Sequence, residues 1–240
     1  MAQPTLLLTR PAPQSRRFAA AFAARHPQMP VLVAPLMRIE ALPLPQDLAG
    51  VDGVILTSEN AVAALAPQTP LRPPAWCVGA RTEAAARAAG FPAAGMAENA
   101  AALTDLLKAG AKGARLLHAR GRHVASDFPA ALASAGITVT EAMVYEQSAC
   151  PLTEEARALL ARPGAVLAPL FSPRSALLLA EAGGPIATRR LHIAAISPAV
   201  ARAAEPLAPL GLDISYRPAA GAMLDALGRL IATLPRPHGA

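Results

Sequence analysis

Gly136–Ser148, with the sequence GITVTEAMVYEQS, is the stretch that decides how this chain folds. Apolar and β-branched residues recur along it and no helix stop precedes Pro151, so we predict one long extended segment. A second extended stretch, Met29–Leu42 (MPVLVAPLMRIEAL), lies much earlier in the chain. Strand and helix patterns between the two stretches could close on themselves. A chain that leaves one lobe on one strand and returns on another forms two lobes and a cleft, with Tyr145 at the hinge.

These two crossings divide the chain into two predicted lobes. The first lobe is discontinuous and takes residues 1–35 and 147–240, and the inserted second lobe takes residues 41–141. Residues 36–40 and 142–146 are the predicted linker strands. A chain of 240 residues is long enough for two domains of roughly 100–120 residues each.

Composition limits the classes of ligand. Hydrophobic residues make up 53% of the chain and charged residues 16%, which predicts packed cores. The net charge of +6 comes from dispersed arginines, which suit an acidic small molecule better than a nucleic acid. With 3% aromatic residues, a surface that stacks single-stranded bases is not expected. An ordinary basic surface is a simpler explanation and is slightly favoured on charge alone.

Cysteine usage and the N-terminus indicate a compartment. Cys77 and Cys150 match no CxxC or zinc spacing, so we interpret both as reduced thiols in or near the core. Met1–Thr9 lacks the basic start and apolar length of a secretory signal. No apolar run approaches the roughly 18–20 residues that cross a bilayer. We therefore expect a cytoplasmic protein without a membrane partner.

Strand and helix patterns alternate within each predicted lobe. Thr5–Thr9 is typical of a short buried strand, and the helix after it places Phe18 and Phe22 on one face. The same order recurs towards the C-terminus, where the pattern predicts a helix over Arg174–Ala182 that stops at Gly183-Gly184. This alternation predicts an α/β fold with parallel sheets and helices on both faces.

The turns that follow the strands are the candidate binding elements, because ligands of open α/β sheets bind outside the carboxyl ends of the strands. A helix start favours anions, but one exposed contact contributes only about 0.3–1 kcal/mol, so an anionic ligand would use several turns. Taken singly, each turn is more simply explained as a helix cap, and Ser172 and Ser197 are expected to cap helices that begin at Pro173 and Pro198. The candidates are Thr9-Arg10, Thr57-Ser58, Gly79 to Thr82 with Arg81, Arg120-Gly121, Phe171 to Ser175 with Arg174, and Ile196-Ser197.

Other recognised chemistry is missing from the sequence. No GxGxxG follows a strand, and the GxxxxGK[ST] and GxSxG patterns are absent. No His, Cys, Asp or Glu cluster has metal spacing. His118 and His192 fall inside predicted strands and are interpreted as satisfied core groups. The residues alone therefore predict a two-lobed α/β protein that binds an anion.

The ordered set of turns resembles the uroporphyrinogen-III synthase family over nearly the whole chain. Each motif alone is a generic strand-to-helix turn, and their order carries the resemblance. The motifs are LLLTRP (Leu6–Pro11), TSENAV (Thr57–Val62), VGARTEAAARAAGF (Val78–Phe91), LLHARG (Leu116–Gly121), VYEQ (Val144–Gln147), FSPRSA (Phe171–Ala176) and AAISPAVARAAE (Ala194–Glu205).

The resemblance implies two flavodoxin-like (Rossmann-like) lobes with parallel sheets, joined by a two-stranded β linker. It implies a cyclising hydro-lyase of tetrapyrrole biosynthesis, which supplies haem, sirohaem, chlorophyll and cobalamin. The enzyme closes hydroxymethylbilane to uroporphyrinogen III, inverts ring D and uses no cofactor. A cytoplasmic monomer is expected, with hand-over of the substrate from hydroxymethylbilane synthase.

The resemblance also assigns residues. The family's linker tyrosine matches Tyr145, which would assist departure of the hydroxyl, although a purely structural tyrosine is an equal alternative. Positions matching the cleft-facing turns of the family are Thr57, Ser58, Thr82, Ser172 and Ser197. The substrate-binding set is completed by Arg10, Arg81, Arg120, Gly121 and Ser175, which belong to the candidate turns. One departure is Ala199-Val200, where family members often place a hydroxyl residue, so backbone N–H groups would serve at that turn.

Two other functions compete with this reading. The first is a non-catalytic two-lobed binding domain for an anionic metabolite, although no secretion signal or DNA-binding segment accompanies it. The second is a flavodoxin-like redox or flavin protein, which a flavin spectrum of the purified protein would reveal.

Overall fold

The computed structural model describes residues 3–122, 126–187 and 190–235, with the backbone alone for residues 184–187. Within these ranges the chain alternates strands and helices from end to end. The first half contains β1 (Thr5–Leu8), α1 (Ala12–Arg25), β2 (Val31–Val33), β3 (Met37–Ala41), β4 (Gly53–Leu56), α2 (Glu59–Leu65), β5 (Ala75–Val78), α3 (Ala80–Ala88), β6 (Ala93–Ala97), α4 (Ala100–Gly110), β7 (Arg115–Gly121) and α5 (Phe128–Ala133). The second half contains β8 (Thr138–Ala149), α6 (Glu154–Ala161), β9 (Val166–Leu170), α7 (Pro173–Ala187), β10 (Leu191–Ala195), α8 (Pro198–Ala203), β11 (Gly211–Ile214) and α9 (Ala220–Thr233).

Contacts divide the chain into two compact units. Unit 1 consists of Met1–Arg38 and Ala149–Ala240, and unit 2 consists of Ile39–Ser148. The sheet of unit 1 has the strand order β11-β10-β9-β1-β2 in the described residues. Every neighbouring pair in this sheet is parallel. The carboxyl ends of β10, β9 and β1 therefore lie side by side at one edge.

The sheet of unit 2 has the order β3-β8-β7-β4-β5-β6. The pairs from β8 to β6 are all parallel. Strand β3 is antiparallel to β8, because Leu42 N–H donates to Val144 O and Cys150 N–H donates to Leu36 O, so one residue number rises as the other falls. The long strand β8 thus pairs with β7 in its first part and with β3 in its last part.

Both faces of each sheet are buried, as the alternation of side chains along a strand requires. In β1, Leu7 packs in one core cluster, whereas Leu6 and Leu8 pack in another. In β4, Ile55 is likewise separated from the cluster that holds Val54 and Leu56. The predicted α/β fold with two mostly parallel sheets is confirmed.

Two local predictions differ from the structure. Helix α7 continues to Ala187, so the predicted stop at Gly183-Gly184 is wrong. Glycine in a helix interior costs only about 1 kcal/mol, and the buried Ala176 and Leu179 hold α7 on the core of unit 1. Strand β6 was not predicted, because its sequence, AAGMA, has weak strand propensity.

Candidate functional site

The predicted residues of unit 2 meet at one edge of its sheet. Because β8, β7, β4 and β5 are neighbours and mutually parallel, the turns after β7, β4 and β5 lie next to each other. Tyr145 belongs to the same edge, since it pairs with Gly121, the last residue of β7. The predicted residues collected here are Thr57, Ser58, Arg81, Thr82, Arg120, Gly121 and Tyr145.

Tyr145 lies against the backbone of β7. A Cβ atom built on Gly121 would lie 2.6 Å from Cζ and 2.9 Å from the hydroxyl oxygen of Tyr145. The side chain is 8% exposed and packs in the same cluster as Val144. The register passes from Arg120 opposite Met143 to Gly121 opposite Tyr145, which leaves Val144 as an extra residue of β8. This bulge explains how two consecutive residues reach the same core.

Two ion pairs join β8 to the end of β7. Arg120 Nε donates to Glu141 Oε2 at 2.9 Å, and Arg120 Nη1 donates to Gly121 O at 3.1 Å. Arg122 donates twice to Glu146 Oε2, from Nε at 2.9 Å and from Nη2 at 2.7 Å. The predicted substrate residue Arg120 is therefore already held by a carboxylate of its own unit.

His118 shares the carboxylate that holds Arg120. Its Nδ1 lies 3.1 Å from Glu141 Oε1, its ring meets Phe128 edge-on at 4.9 Å, and it is 1% exposed. Burial lowers the pKa of His118, against the opposing effect of the hydrogen bond to Glu141. Its Nε2 is buried without a hydrogen-bond partner in the described residues. The interpretation of His118 as a fully satisfied core group is thus correct for only one ring nitrogen.

The remaining turns of unit 2 begin helices in two ways. Ser58 caps α2, since its Oγ accepts from Asn60 N–H at 3.1 Å. Gly79 caps α3 with φ +81°, a left-handed conformation that favours glycine, and it offers no side-chain oxygen. Thr82 is buried in the first turn of α3, whereas Arg81 is exposed and forms no ion pair with any residue that the structure describes. Among the predicted arginines of this edge, Arg120 is ion-paired within unit 2, whereas Arg81 is exposed and without an ion pair in the described residues.

Arg10 and Phe171 bring two turns of unit 1 into contact. The guanidinium carbon of Arg10 lies 4.1 Å from the centroid of the Phe171 ring, a cation–π geometry. Phe18 also contacts that ring, edge-on, with 5.2 Å between the ring centroids. Ser15 Oγ donates to Arg10 O at 2.8 Å. The turn after β1 is thus fixed from both its backbone and its side chain.

The two Ser-Pro turns of unit 1 differ. Ser172 caps α7, because its Oγ accepts from Ser175 N–H at 3.1 Å and lies 2.7 Å from Ser175 Oγ. Ser197 makes no side-chain capping bond to α8, so the expected cap is wrong there, while Pro198 does occupy the first turn. The Ser197 hydroxyl is consequently not engaged by its own helix.

His192 departs from expectation, whereas the two cysteines agree with theirs. His192 was interpreted as satisfied, yet its Nδ1 is buried without a partner in the described part of the chain, and burial lowers its pKa. Cys77 and Cys150 are free thiols, and Cys77 is buried.

In the described ranges, no group of three or more His, Cys, Asp and Glu side chains could hold a metal ion. None of the helices described is long and apolar enough to cross a membrane.

Sequence reasoning missed two residues that organise these edges. Phe171 begins one of the candidate turns but has no predicted role of its own, and its ring contacts the guanidinium of Arg10. Glu141 binds both His118 and Arg120. Strand alternation would identify Glu141 only together with the register of β7 and β8, which places residues 118, 120 and 141 on one face.

Comparison with known families identifies a relative for the chain as a whole. The family model described as uroporphyrinogen-III synthase HemD matches residues 18–224. This range includes every predicted site residue except Arg10. No curated protein matches the sequence significantly.

Solved structures share the fold. Uroporphyrinogen-III synthetase from Helicobacter pylori is 18% identical, with a TM-score of 0.68 over 95% of this chain and 100% of that chain. A mutant uroporphyrinogen III synthase from Thermus thermophilus is 18% identical, with a TM-score of 0.52 over 96% of this chain and 100% of that chain. At this level of identity the likeness concerns the fold.

Proposed function

The chain belongs to the uroporphyrinogen-III synthase family, which acts in tetrapyrrole biosynthesis, and we propose that it is a lyase that cyclises and dehydrates hydroxymethylbilane. The product is uroporphyrinogen III, with ring D inverted, and the terminal hydroxyl leaves as water. The observation that carries this proposal is the grouping of the predicted turns at the carboxyl edges of two parallel sheets, in a chain whose residues 18–224 match the family.

The chemistry sets what the protein must supply. The electron-rich terminal pyrrole of hydroxymethylbilane can expel its hydroxyl and form an azafulvenium cation. Left to itself, the linear molecule closes without inversion to the type I isomer. Inversion requires attack at the substituted carbon of ring D, through a spirocyclic intermediate. The enzyme therefore has mainly to choose the attacking carbon.

That choice needs little energy. A thousandfold preference for one product corresponds to about 4 kcal/mol of differential stabilisation between two transition states. A few charge-assisted hydrogen bonds to the acetate and propionate groups of the substrate can supply it. We assign these contacts to Arg10, Arg81 and Thr82, and to the hydroxyls of Thr57 and Ser197, with Ser58, Ser172, Ser175, Arg120 and Gly121 shaping the turns.

The proposed binding residues differ in how far their side chains are already engaged by other residues of the chain. Arg81 has no ion pair to give up among the described residues, whereas Arg120 would have to share its guanidinium with Glu141. Ser172 and Ser58 already cap helices, so each serine oxygen is engaged by a backbone N–H group of its own turn. We accordingly propose that Arg10 and Arg81 bind substrate carboxylates and that Arg120 has mainly a structural role.

Tyr145 is proposed to assist the departure of the hydroxyl. Its phenol lies at the carboxyl edge of β7, and no described residue hydrogen-bonds to its oxygen, so a substrate hydroxyl can take that place. Because the pyrrole itself drives the departure, the assistance is modest and the residue is not obligatory.

The reactivity of the substrate bears on how the protein receives it. Because hydroxymethylbilane closes unaided, direct hand-over from hydroxymethylbilane synthase would shorten its free lifetime. We propose that the protein works as a cytoplasmic monomer that accepts the substrate in this way. Sedimentation of the purified chain, alone and with the synthase, tests both statements.

The deciding experiment mixes the purified protein with freshly generated hydroxymethylbilane, oxidises the products and separates the porphyrin isomers by chromatography. We expect type III to dominate, with heat-inactivated protein giving type I. A bound but unchanged tetrapyrrole would instead identify a non-catalytic binding protein, and a type I product alone would refute the proposal.

A further inference from the structure

The ring of Tyr145 occupies space that is free because Gly121 has no side chain. Gly121 lies directly opposite Tyr145 in the sheet, and the phenol occupies the space that a Cβ would fill. The atoms closest to that space are Cζ, Cε2 and the hydroxyl oxygen, at 2.6, 2.8 and 2.9 Å. These three atoms form the far end of the Tyr145 side chain. A methyl group at Gly121 would therefore move the reactive end of the tyrosine while its Cα stays in β8.

The bulge in β8 explains why this contact exists. With regular pairing, the residue opposite Gly121 would be Val144, whose side chain ends well short of a phenol. The extra residue instead brings Tyr145 into register with Gly121 and turns it to the face on which Val144 is also buried. The bulge in β8 and the absence of a side chain at Gly121 thus both determine where the phenol of Tyr145 lies.

Two ion pairs connect β8 to the residues on either side of Gly121. The neighbours of Gly121 in sequence, Arg120 and Arg122, bind Glu141 and Glu146 of β8. Since both acids flank Tyr145 along the strand, the backbone beneath the phenol is tied to β7 before and after the contact. The two strands are also paired along the whole of β7, and the atoms nearest to the added Cβ belong to the far end of the Tyr145 side chain, so we expect the ring to move before the backbone does.

We propose that Gly121 is the positioning residue for Tyr145: the space above its Cα fixes where the phenol hydroxyl is presented at the carboxyl edge of the unit 2 sheet. The inference rests on the proposed role of Tyr145 in hydroxyl departure. It gives Gly121 a more specific role than shaping its turn, namely leaving the space that the Tyr145 ring occupies.

The test is a double-mutant cycle of Gly121→Ala and Tyr145→Phe. Gly121→Ala should lower kcat about tenfold, with KM changed less than about twofold. In the Tyr145→Phe background the same change should lower kcat by less than about twofold, because no hydroxyl is left to misplace. Equal losses in both backgrounds would overturn the proposal, as would a fully active Gly121→Ala.

A matched control separates positioning from general damage to unit 2. Gly95 lies in β6 of the same sheet, and a Cβ there would come within 2.8 Å of Trp76 and Leu106. Gly95→Ala should lower the melting temperature and leave kcat unchanged. If Gly95→Ala reduces kcat as much as Gly121→Ala does, the effect belongs to the sheet and the proposal fails.

A spectroscopic readout reports a change in the surroundings of the ring. The chain has two tyrosines, so 3-fluorotyrosine labelling gives two ¹⁹F resonances, which Tyr216→Phe assigns. Gly121→Ala should shift the Tyr145 resonance and leave that of Tyr216 unchanged; an unshifted Tyr145 resonance would contradict the proposal. If Gly121→Ala does not fold, adding Tyr145→Ala should restore folding, because the clashing ring is gone, and failure of this rescue would also overturn it.

The cycle distinguishes this inference from the function on which it rests. A Tyr145→Phe variant as active as the wild type would refute the role of the tyrosine itself. A wild-type protein that makes no type III isomer would refute the proposed function. In both cases the fluorine shift still reports whether Gly121 sets the position of the phenol.

Discussion

The guanidinium of Arg10 lies on the ring of Phe171, with 4.1 Å between the guanidinium carbon and the ring centroid. The pair joins the turn after β1 to the turn after β9, two neighbouring strands of the unit 1 sheet. An arginine held in this way has lost most of its rotamer freedom before any ligand arrives, so binding a carboxylate orders less. If Arg10 binds a substrate carboxylate as proposed, Phe171 contributes to binding without offering a polar atom.

Removing the aromatic face should weaken substrate binding. A cation–π contact contributes about 0.5–2 kcal/mol, so we expect Phe171→Leu to raise KM about two- to thirtyfold at nearly constant kcat. Phe91→Leu is the matched control, because Arg72 lies 4.8 Å from the Phe91 ring, away from the carboxyl edge. That variant should lose stability and keep its KM. Steady-state kinetics of both variants measure these KM values. An unchanged KM for Phe171→Leu would show that Phe171 does not contribute to substrate binding.

Tyr145→Phe should slow turnover without abolishing it. An obligatory general acid contributes about 10²–10⁴-fold, whereas the pyrrole here supplies most of the driving force, so we expect a loss of about tenfold to a hundredfold. Turnover is measured from the initial rate of type III formation, with circular dichroism as the control for folding. Complete loss in a folded variant would show that Tyr145 is an obligatory acid.

Buried histidine makes stability sensitive to acid. Burial lowers the pKa of His118 below its ordinary value of 6.5, with Glu141 and Arg120 as the charged groups beside it. The folded state then binds fewer protons than the unfolded chain, so the contribution is complete above about pH 6.5 and is lost as pH falls through the folded pKa. We expect the urea midpoint of the wild type to fall between about pH 7 and pH 5.

The variant His118→Gln tests the origin of that loss. Glutamine does not titrate and keeps an amide that can donate to Glu141, so the midpoint should depend less on pH than in the wild type. His192→Gln is the corresponding change in unit 1, where burial also lowers the pKa of the histidine. An acid dependence that both variants retain in full would show that other groups cause it.

The two thiols should differ in reactivity. Burial raises the pKa of Cys77 to about 11, with the charge of Glu83 adding to the effect. At about pH 8 its thiolate fraction is then about a thousandth, and the residue has no exposed surface. Iodoacetamide should modify the half-buried Cys150 first, as read by mass spectrometry of the digest, and both thiols should react in urea. Equal labelling of both residues in the folded protein would contradict this burial.

The sequence was informative where local and global preferences agree. Thr5–Leu8 and Gly53–Leu56 are apolar strands between turn residues, and each has the double-sided burial that a central parallel strand requires. Ser172 is predicted to cap a helix because a side-chain oxygen at a helix start has a definite partner, and its oxygen does accept from Ser175 N–H. The order of the turns was enough to predict the family.

Other features depend on contacts that no local pattern contains. The sequence of β6 resembles a loop, and Gly95 is needed because Trp76 and Leu106 approach within 2.8 Å of where its Cβ would be. The bulge that aims Tyr145 at Gly121 depends on the register between β7 and β8. The stacking of Arg10 on Phe171 depends on the strand order, which brings β9 beside β1. Such relationships require the sheet topology before they can be predicted.

The measurement that tests the central claim most directly is the isomer composition of the product as the protein concentration is raised. Spontaneous closure of hydroxymethylbilane gives type I at a fixed rate, so the protein has to compete with it. We predict that the type III fraction rises with protein concentration and approaches the whole product at excess protein. Type I at every concentration would contradict the account.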